Sequence, residues 1–212
     1  LINEVVEVDW ARDWLEMNGL PNPSAEAWRY TPLAEMIDAL AQCGPGSTIG
    51  SDGLDTTGAL DTRALERLAE RHGAVRLVFV NGRFSPELSD SPSAPEATAP
   101  LPPGVRVGPL TELMGPGESG LAELLGRWCA PRPEDFGSDD GFRVLNAGSA
   151  HDPAVIMVNP GVAVGSPIHV VHVRTTGSDQ SPTFSQPATM IDIGGGASCR
   201  VIESHVSLGA GV

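Results

Sequence analysis

Aromatic residues are scarce, 5% of 212 positions, and basic ones are outnumbered, 13 Lys plus Arg against 27 Asp plus Glu for a formal charge of −14. So acidic a chain repels phosphate-rich partners unless a local basic patch intervenes. The sequence has none, so neither nucleic acid nor an anionic membrane surface is an expected partner. Long apolar runs are missing too: nothing approaches the ~18 residues that span a bilayer. The opening LINEVVEVDW has neither the basic region nor the apolar stretch of a signal peptide, so a cytoplasmic location is expected. Cysteine is limited to Cys43, Cys129 and Cys199, an odd number without a C-x-x-C pair, which argues against a disulfide framework and a local zinc site. No metal site and no cofactor is expected within these residues. The first residue is not Met and HVSLGAGV ends the sequence in what reads as a strand, so a fragment at both ends is expected.

What is plentiful is glycine, 25 residues, and proline, 19, on a background that is 41% hydrophobic. Short elements with many turns follow. Val6, Trp10, Trp14 and Met17 keep helical spacing up to a stop at Gly19 and Pro21. A second helix is predicted from Thr31 as N-cap and Pro32 at the first helical position, burying Leu33, Met36, Ile37 and Leu40 and ending at Gly44-Pro45. A third runs from Asp61 through Leu65, Leu68, Ala69 and His72 to Gly73. VRLVFV, Val75 to Val80, reads as a strand, turned by Asn81-Gly82 into a short return strand at Arg83-Phe84. Ser89 to Pro103 is rich in Ser, Pro and Ala and reads as a mobile loop. A fourth helix, about Glu118 to Trp128, presents Leu121, Leu124, Leu125 and Trp128 on one face.

Helix content is expected to stop there. From Phe142 the pattern turns to short β segments, RVLNA, AVIMV, VAV, IHVVHVRT, ATMIDI and SCRVIESHV, separated by Gly- and Pro-containing turns. No connection has the ~10 helical residues of a βαβ crossover, which leaves a sandwich or a β-helix of stacked turns. The predicted class is thus α+β, with a mostly helical region 1–141, its loop at 89–103, and a β region 142–212.

The strings that suggest chemistry do not survive their context. Gly115 to Gly120 matches G-x-G-x-x-G, but Pro116 removes a backbone donor, Glu118 adds negative charge, and no strand leads in. His169 and His172 look like a metal pair, yet positions three apart on a strand point to opposite faces. Cys199 and His205 share a face, but along a strand they stand roughly 20 Å apart. Any ligand set would need residues from different strands. Ser149, His151 and Asp152 cannot form a hydrolase triad locally, and Asp139-Asp140 lie in a Gly/Ser-rich loop. No catalytic residue is expected, and the chain reads as no enzyme by itself.

One short segment spends two rare aromatics. In SAEAWRYTPL, Trp28 and Tyr30 flank Arg29 between the first two helices, where the rings can fill the gap while Arg29 reaches outward to Glu26. An exposed aromatic patch for a partner is the alternative.

GLPNPSAEAWRYTPL, Gly19 to Leu33, resembles the G-L-P…E-x-W-R-Y-T-x-L signature near the start of the SufD branch of the SufB/SufD family of iron–sulfur cluster assembly proteins. LVFVNGRFSPELS, LPPGVRV, FRVLNA, PGVAVGSPIHVVHV and ATMIDIGGGASCRVIESHV follow in the family's order; Gln186-Pro187-Ala188-Thr189 departs from it where Pro-Arg is common. The resemblance implies a helical N-terminal region followed by the first turns of a right-handed parallel β-helix. It also implies a non-catalytic scaffold role, with Glu26, Trp28, Arg29, Tyr30 and Thr31 as structural motif residues. Partners implied are a SufB-like subunit and a SufC-like ATPase, held through a C-terminal part beyond Val212, and any iron–sulfur cluster belongs to the full assembly. A SufB-like paralogue, or a β-helical carbohydrate-active enzyme with clustered acids on a β face, are the competing readings; the β segments carry mainly Asp192 and Glu203.

Overall fold

The computed structural model of the protein describes residues 8–42, 63, 65–66, 72–73, 75–90, 101–114, 121, 123–124, 137, 139–149, 152–175 and 186–208. Strand β1, Val75–Val80, is buried at every position, Arg76 included, as expected of a near-continuous apolar run covered on both faces. Asn81 and Gly82 take the left-handed conformation, φ 52° and 79°, and return the chain into β2, Arg83–Phe84, as their sequence predicts.

β1 pairs in parallel with β5, Ile168–Thr175, and β5 in parallel with β7, Val201–Leu208, giving a sheet ordered β2-β1-β5-β7. In the second sheet β3, Val105–Pro109, runs antiparallel to β4, Ala154–Val158, which pairs in parallel with β6, Thr189–Ile193. The stretch carrying β4 and β5 therefore lies in register under the stretch carrying β6 and β7. Ala154 sits beside Thr189, Val158 beside Ile193, Ala163 beside Ser198 and Ile168 beside Val201. The backbone pairing continues through the turns: Gly161 N–H donates to Gly195 O, Val164 to Ser198 and Ile168 to Arg200. Gly194 permits this stacking, because a Cβ there would stand 2.4 Å from Pro160 N.

One apolar core fills the space between the sheets, with Leu77, Phe79, Ile156, Val158, Ile168 and Val170 at its centre. The outward faces are covered as well, Val155, Met157 and Met190 by Leu110, Leu121 and Leu124, and Val78, Val171 and Val173 by Leu65. The class is α+β with mixed sheets, and no barrel closes among the described residues.

Helix α1, Val8–Asn18, ends at Gly19, whose φ of +75° and N–H to Leu15 O make the expected C-terminal stop. Trp14 is buried, but Met17, expected on the same apolar stripe, is 82% exposed. Helix α2, Leu33–Gln42, receives Met36 N–H at Pro32 O, so Pro32 occupies the cap and Thr31 lies one residue outside. A single helical turn, α3, spans Leu110–Leu113. Of the predicted third and fourth helices, residues 63, 65–66, 121 and 123–124 are helical. Their remainder, the Gly44-Pro45 stop, Gly115 to Gly120 and most of the 89–103 loop lie outside the described residues.

The RVLNA segment corrects the sequence reading. It is not a strand but the middle of helix α4, Gly141–Ser149, so helix content does not stop at Trp128. Val144 and Ala147 stand one helical turn apart and buried, Val144 packing with Trp14 and Ala11 of α1. Gly148 lets the helices close, since a Cβ there would lie 2.6 Å from Ala11 Cβ. Docking against α1 overrides the weak strand preference of Val144. The regular β stack starts at Ala154, and VAV contributes only the Ala163 bridge.

Candidate functional site

Alternation along β5 turns Ile168 and Val170 into the core between the sheets, and the same alternation turns His172 and Arg174 to that side. On β7 the matching positions are Val201, Glu203, His205 and Ser207, with His172 beside His205 and Arg174 beside Ser207. The inward face thus changes from aliphatic to polar toward the C-terminal ends of both strands.

His172 is 6% exposed. Its Nε2 lies 3.1 Å from Glu203 Oε1 and 3.1 Å from the hydroxyl of Thr189, which belongs to β6 in the other sheet. Thr189 Oγ1 itself donates to Glu203 Oε1 at 2.5 Å. The His172 ring stacks on His205 at 5.1 Å between centroids and rests against Phe79 at 5.5 Å. His205 Nε2 is 3.9 Å from Glu203 Oε2. Burial pushes the His172 pKa below its ordinary value despite the adjacent carboxylate. Burial works to raise the Glu203 carboxyl, but the Thr189 hydroxyl and the two imidazoles outweigh it and hold the pKa down. The stable arrangement is therefore a carboxylate receiving Nε2–H of a neutral imidazole. His172 Nδ1 is then a bare lone pair, buried with no hydrogen-bond partner among the described residues. Beside it opens a cavity of about 380 Å³ lined by Gly82, His172, Arg174, Pro187, His205 and Ser207.

This cluster joins residues the sequence could only say would have to come from different strands. As expected, His169 and His172 face opposite ways: His169 Nε2 meets Ser204 Oγ at 2.9 Å on the outer side, and its Nδ1 accepts from His72 N–H. Among the described residues no group of three or more His, Cys, Asp or Glu is arranged to hold a metal ion. Cys199 is a free thiol packed against the inner core, and burial raises its pKa, keeping it protonated. Asp152 belongs to no triad. Its carboxylate accepts from the backbone N–H and hydroxyl of Thr111, both at 3.1 Å, and burial raises its pKa against those hydrogen bonds. His151 and the Ser149 side chain lie outside the described residues. Asp140 accepts from Gly137 N–H at 2.9 Å.

The motif segment folds as a 3-10 turn, Glu26–Trp28, between α1 and α2. Trp28 presents its edge to Phe142 of α4 at 5.5 Å, so it does anchor helices, though to α4. Arg29 pairs with Glu26 at 3.3 Å, as expected, and lies 5.6 Å above the Tyr30 ring. Tyr30 corrects the reading: it is 91% exposed and fills no gap. Exposed Thr31 donates its N–H to Trp28 O and accepts Leu33 N–H, shaping the entry to α2.

Comparison with known proteins covers nearly the whole chain. No protein-family model matches it. An iron–sulfur cluster assembly SufBD family protein of Synechocystis sp. is 29% identical over 197 residues, 92% of this chain and 37% of the relative. The iron–sulfur cluster assembly protein SufD of Escherichia coli is 26% identical over 190 residues, 90% of this chain and 36% of that protein. These similarities support a SufBD-family protein. The chain spans a little over a third of the length of the curated relatives it matches. Among its described residues no helix is long and apolar enough to cross a membrane.

Proposed function

We propose that this SufBD-family chain is part of a scaffold subunit of iron–sulfur cluster assembly and performs no chemistry of its own. The observation that carries the reading is similarity over nine-tenths of the chain to two relatives named for that process. The fold is consistent with it: the in-register stack from β4 to β7 suits the first turns of a right-handed parallel β-helix, a platform onto which further turns add. In this reading residues 1–141 form an N-terminal region of helices and the strands β1 to β3, and the β-helix opens within 142–212, at Ala154 after helix α4. Glu26, Trp28, Arg29, Tyr30 and Thr31 shape the first of these. A SufB-like subunit and a SufC-like ATPase bind through a C-terminal part, the cluster is cargo of the assembly, and the complex works in the cytoplasm. The polysaccharide-active alternative needs free acids clustered on one β face. Glu203 is instead engaged by Thr189 and His172.

Affinity purification of the full-length protein from its own host tests the proposal. Co-elution of a SufB-like subunit and a SufC-like ATPase supports it, while a stable lone protein that ignores both purified partners overturns it. Pairing with a SufD-like subunit instead would identify the SufB-like paralogue.

A further inference from the structure

A layer between two sheets is ordinarily apolar, because an inward polar group loses water and must find partners inside. Here the inward positions near the ends of β5 and β7 carry Arg174, His172, His205 and Ser207 around a cavity, and their chemistry has one sign. Arg174 is exposed and makes no ion pair among the described residues, in a chain whose formal charge is −14. Carboxylates outnumber cations two to one, yet among the described residues no acid lines this cavity. Glu203, the nearby acid, is tied beneath the imidazoles by His172 and Thr189.

We propose that this cavity binds a small oxyanion, a phosphate or carboxylate group, on Arg174, Ser207, His205 and His172. The guanidinium supplies a planar fork of donors, and the Ser207 hydroxyl and the His205 ring stand beside it. The lone pair of His172 Nδ1 finds no donor among the described residues, so it gains a partner by taking a proton and donating to an acceptor in the cavity. The imidazolium then lies between the Glu203 carboxylate on Nε2 and the anion on Nδ1. Anion binding is thereby coupled to proton uptake from solvent. The other groups facing His172 are Glu203 and His205 of β7, Thr189 of β6 and the uncharged ring of Phe79.

Isothermal titration of the purified protein with inorganic phosphate, and separately with malonate, in buffers of different ionisation enthalpy tests this. Saturable binding is expected, tighter at about pH 6 than at about pH 8, with net proton uptake. Arg174→Gln should weaken it roughly ten- to a hundredfold, the loss of a charge-assisted hydrogen bond. Arg200→Gln, before β7 at its other end, should leave it unchanged. Phosphate alone, malonate alone or both would each support the site and identify its ligand. No saturable heat with either anion, or Arg174→Gln binding as the unaltered protein does, overturns it. His172→Asn should bind without proton uptake. Should that variant fail to fold, the His172 imidazole NMR signals of the unaltered protein must move with phosphate, and their failure to move equally rejects the proposal.

Discussion

Ile156 and Ile191 form a controlled pair, because they are the same residue placed side by side in register on the same face of β4 and β6. Ile156 is 0% exposed at the centre of the core between the sheets, whereas Ile191 is 48% exposed. Truncating Ile156 to alanine removes buried carbons from a space that cannot fill with water, a cost of about 2–5 kcal/mol. Fully burying an isoleucine is worth about 1.5–3 kcal/mol, and Ile191 realises about half of that without leaving a cavity, so its truncation should cost at most about 1.5 kcal/mol. With a urea m-value of about 2 kcal/mol/M, the midpoint should fall by about 1–2.5 M for Ile156→Ala and by less than about 0.8 M for Ile191→Ala. Equilibrium urea unfolding followed by circular dichroism, with m unchanged between variants, reads both. Equal midpoint shifts for the two variants would refute the assigned core.

Gly194→Ala forces a Cβ to within 2.4 Å of Pro160 N, a backbone atom that cannot step aside. The stacked turns should part at a cost of about 1–3 kcal/mol, seen as a lowered Tm. Trp28 and Phe142 meet edge to face, so a double-mutant cycle of their alanine variants should show a coupling of about 0.5–1.5 kcal/mol, while Tyr30→Ala changes unfolding by under about 0.5 kcal/mol. Burial holds His172 below its ordinary 6.5, so the unfolded chain binds a proton the folded protein refuses. Its stabilising contribution is therefore full above 6.5 and lost as pH falls from there through the folded value. Urea unfolding across that range should show the decline in the unaltered protein and a shallower one in His172→Asn.

The strands were legible because burial on both faces leaves runs such as VRLVFV and AVIMV that little else explains, and Asn81-Gly82 is a local signal read without tertiary context. Helix α4 was not, because RVLNA is ambiguous by itself. What decides its state is the surface of α1 against Val144 and Gly148, more than a hundred residues earlier in the chain. The partner of Trp28 was hidden for the same reason, Phe142 lying in that misread helix. The His172 cluster needed the register of β5 against β7 and the approach of Thr189 from the other sheet. One signal was present in the sequence: on strict alternation IHVVHVRT and VIESHVSL each turn polar on the face that begins with Ile168 and Val201.

Those polar positions bear on how the stack holds its alignment. Valine- and isoleucine-rich parallel strands specify register weakly, since a slip by one full pleat repeat keeps every inward side chain inward and the core aliphatic. The slip would carry Glu203 away from His172 and Thr189, leaving a partly buried carboxylate and an imidazole without each other. Losing a hydrogen bond to a charged group costs about 1.5–3 kcal/mol, more than the ~0.8 kcal/mol that one methylene of packing restores. An aliphatic trio in their place would pack as well and discriminate less. The alignment of β5, β6 and β7 is thus favoured by His172, Glu203 and Thr189, of which His172 also lines the cavity, and a ligand seated there would bear on the same joint between the two sheets.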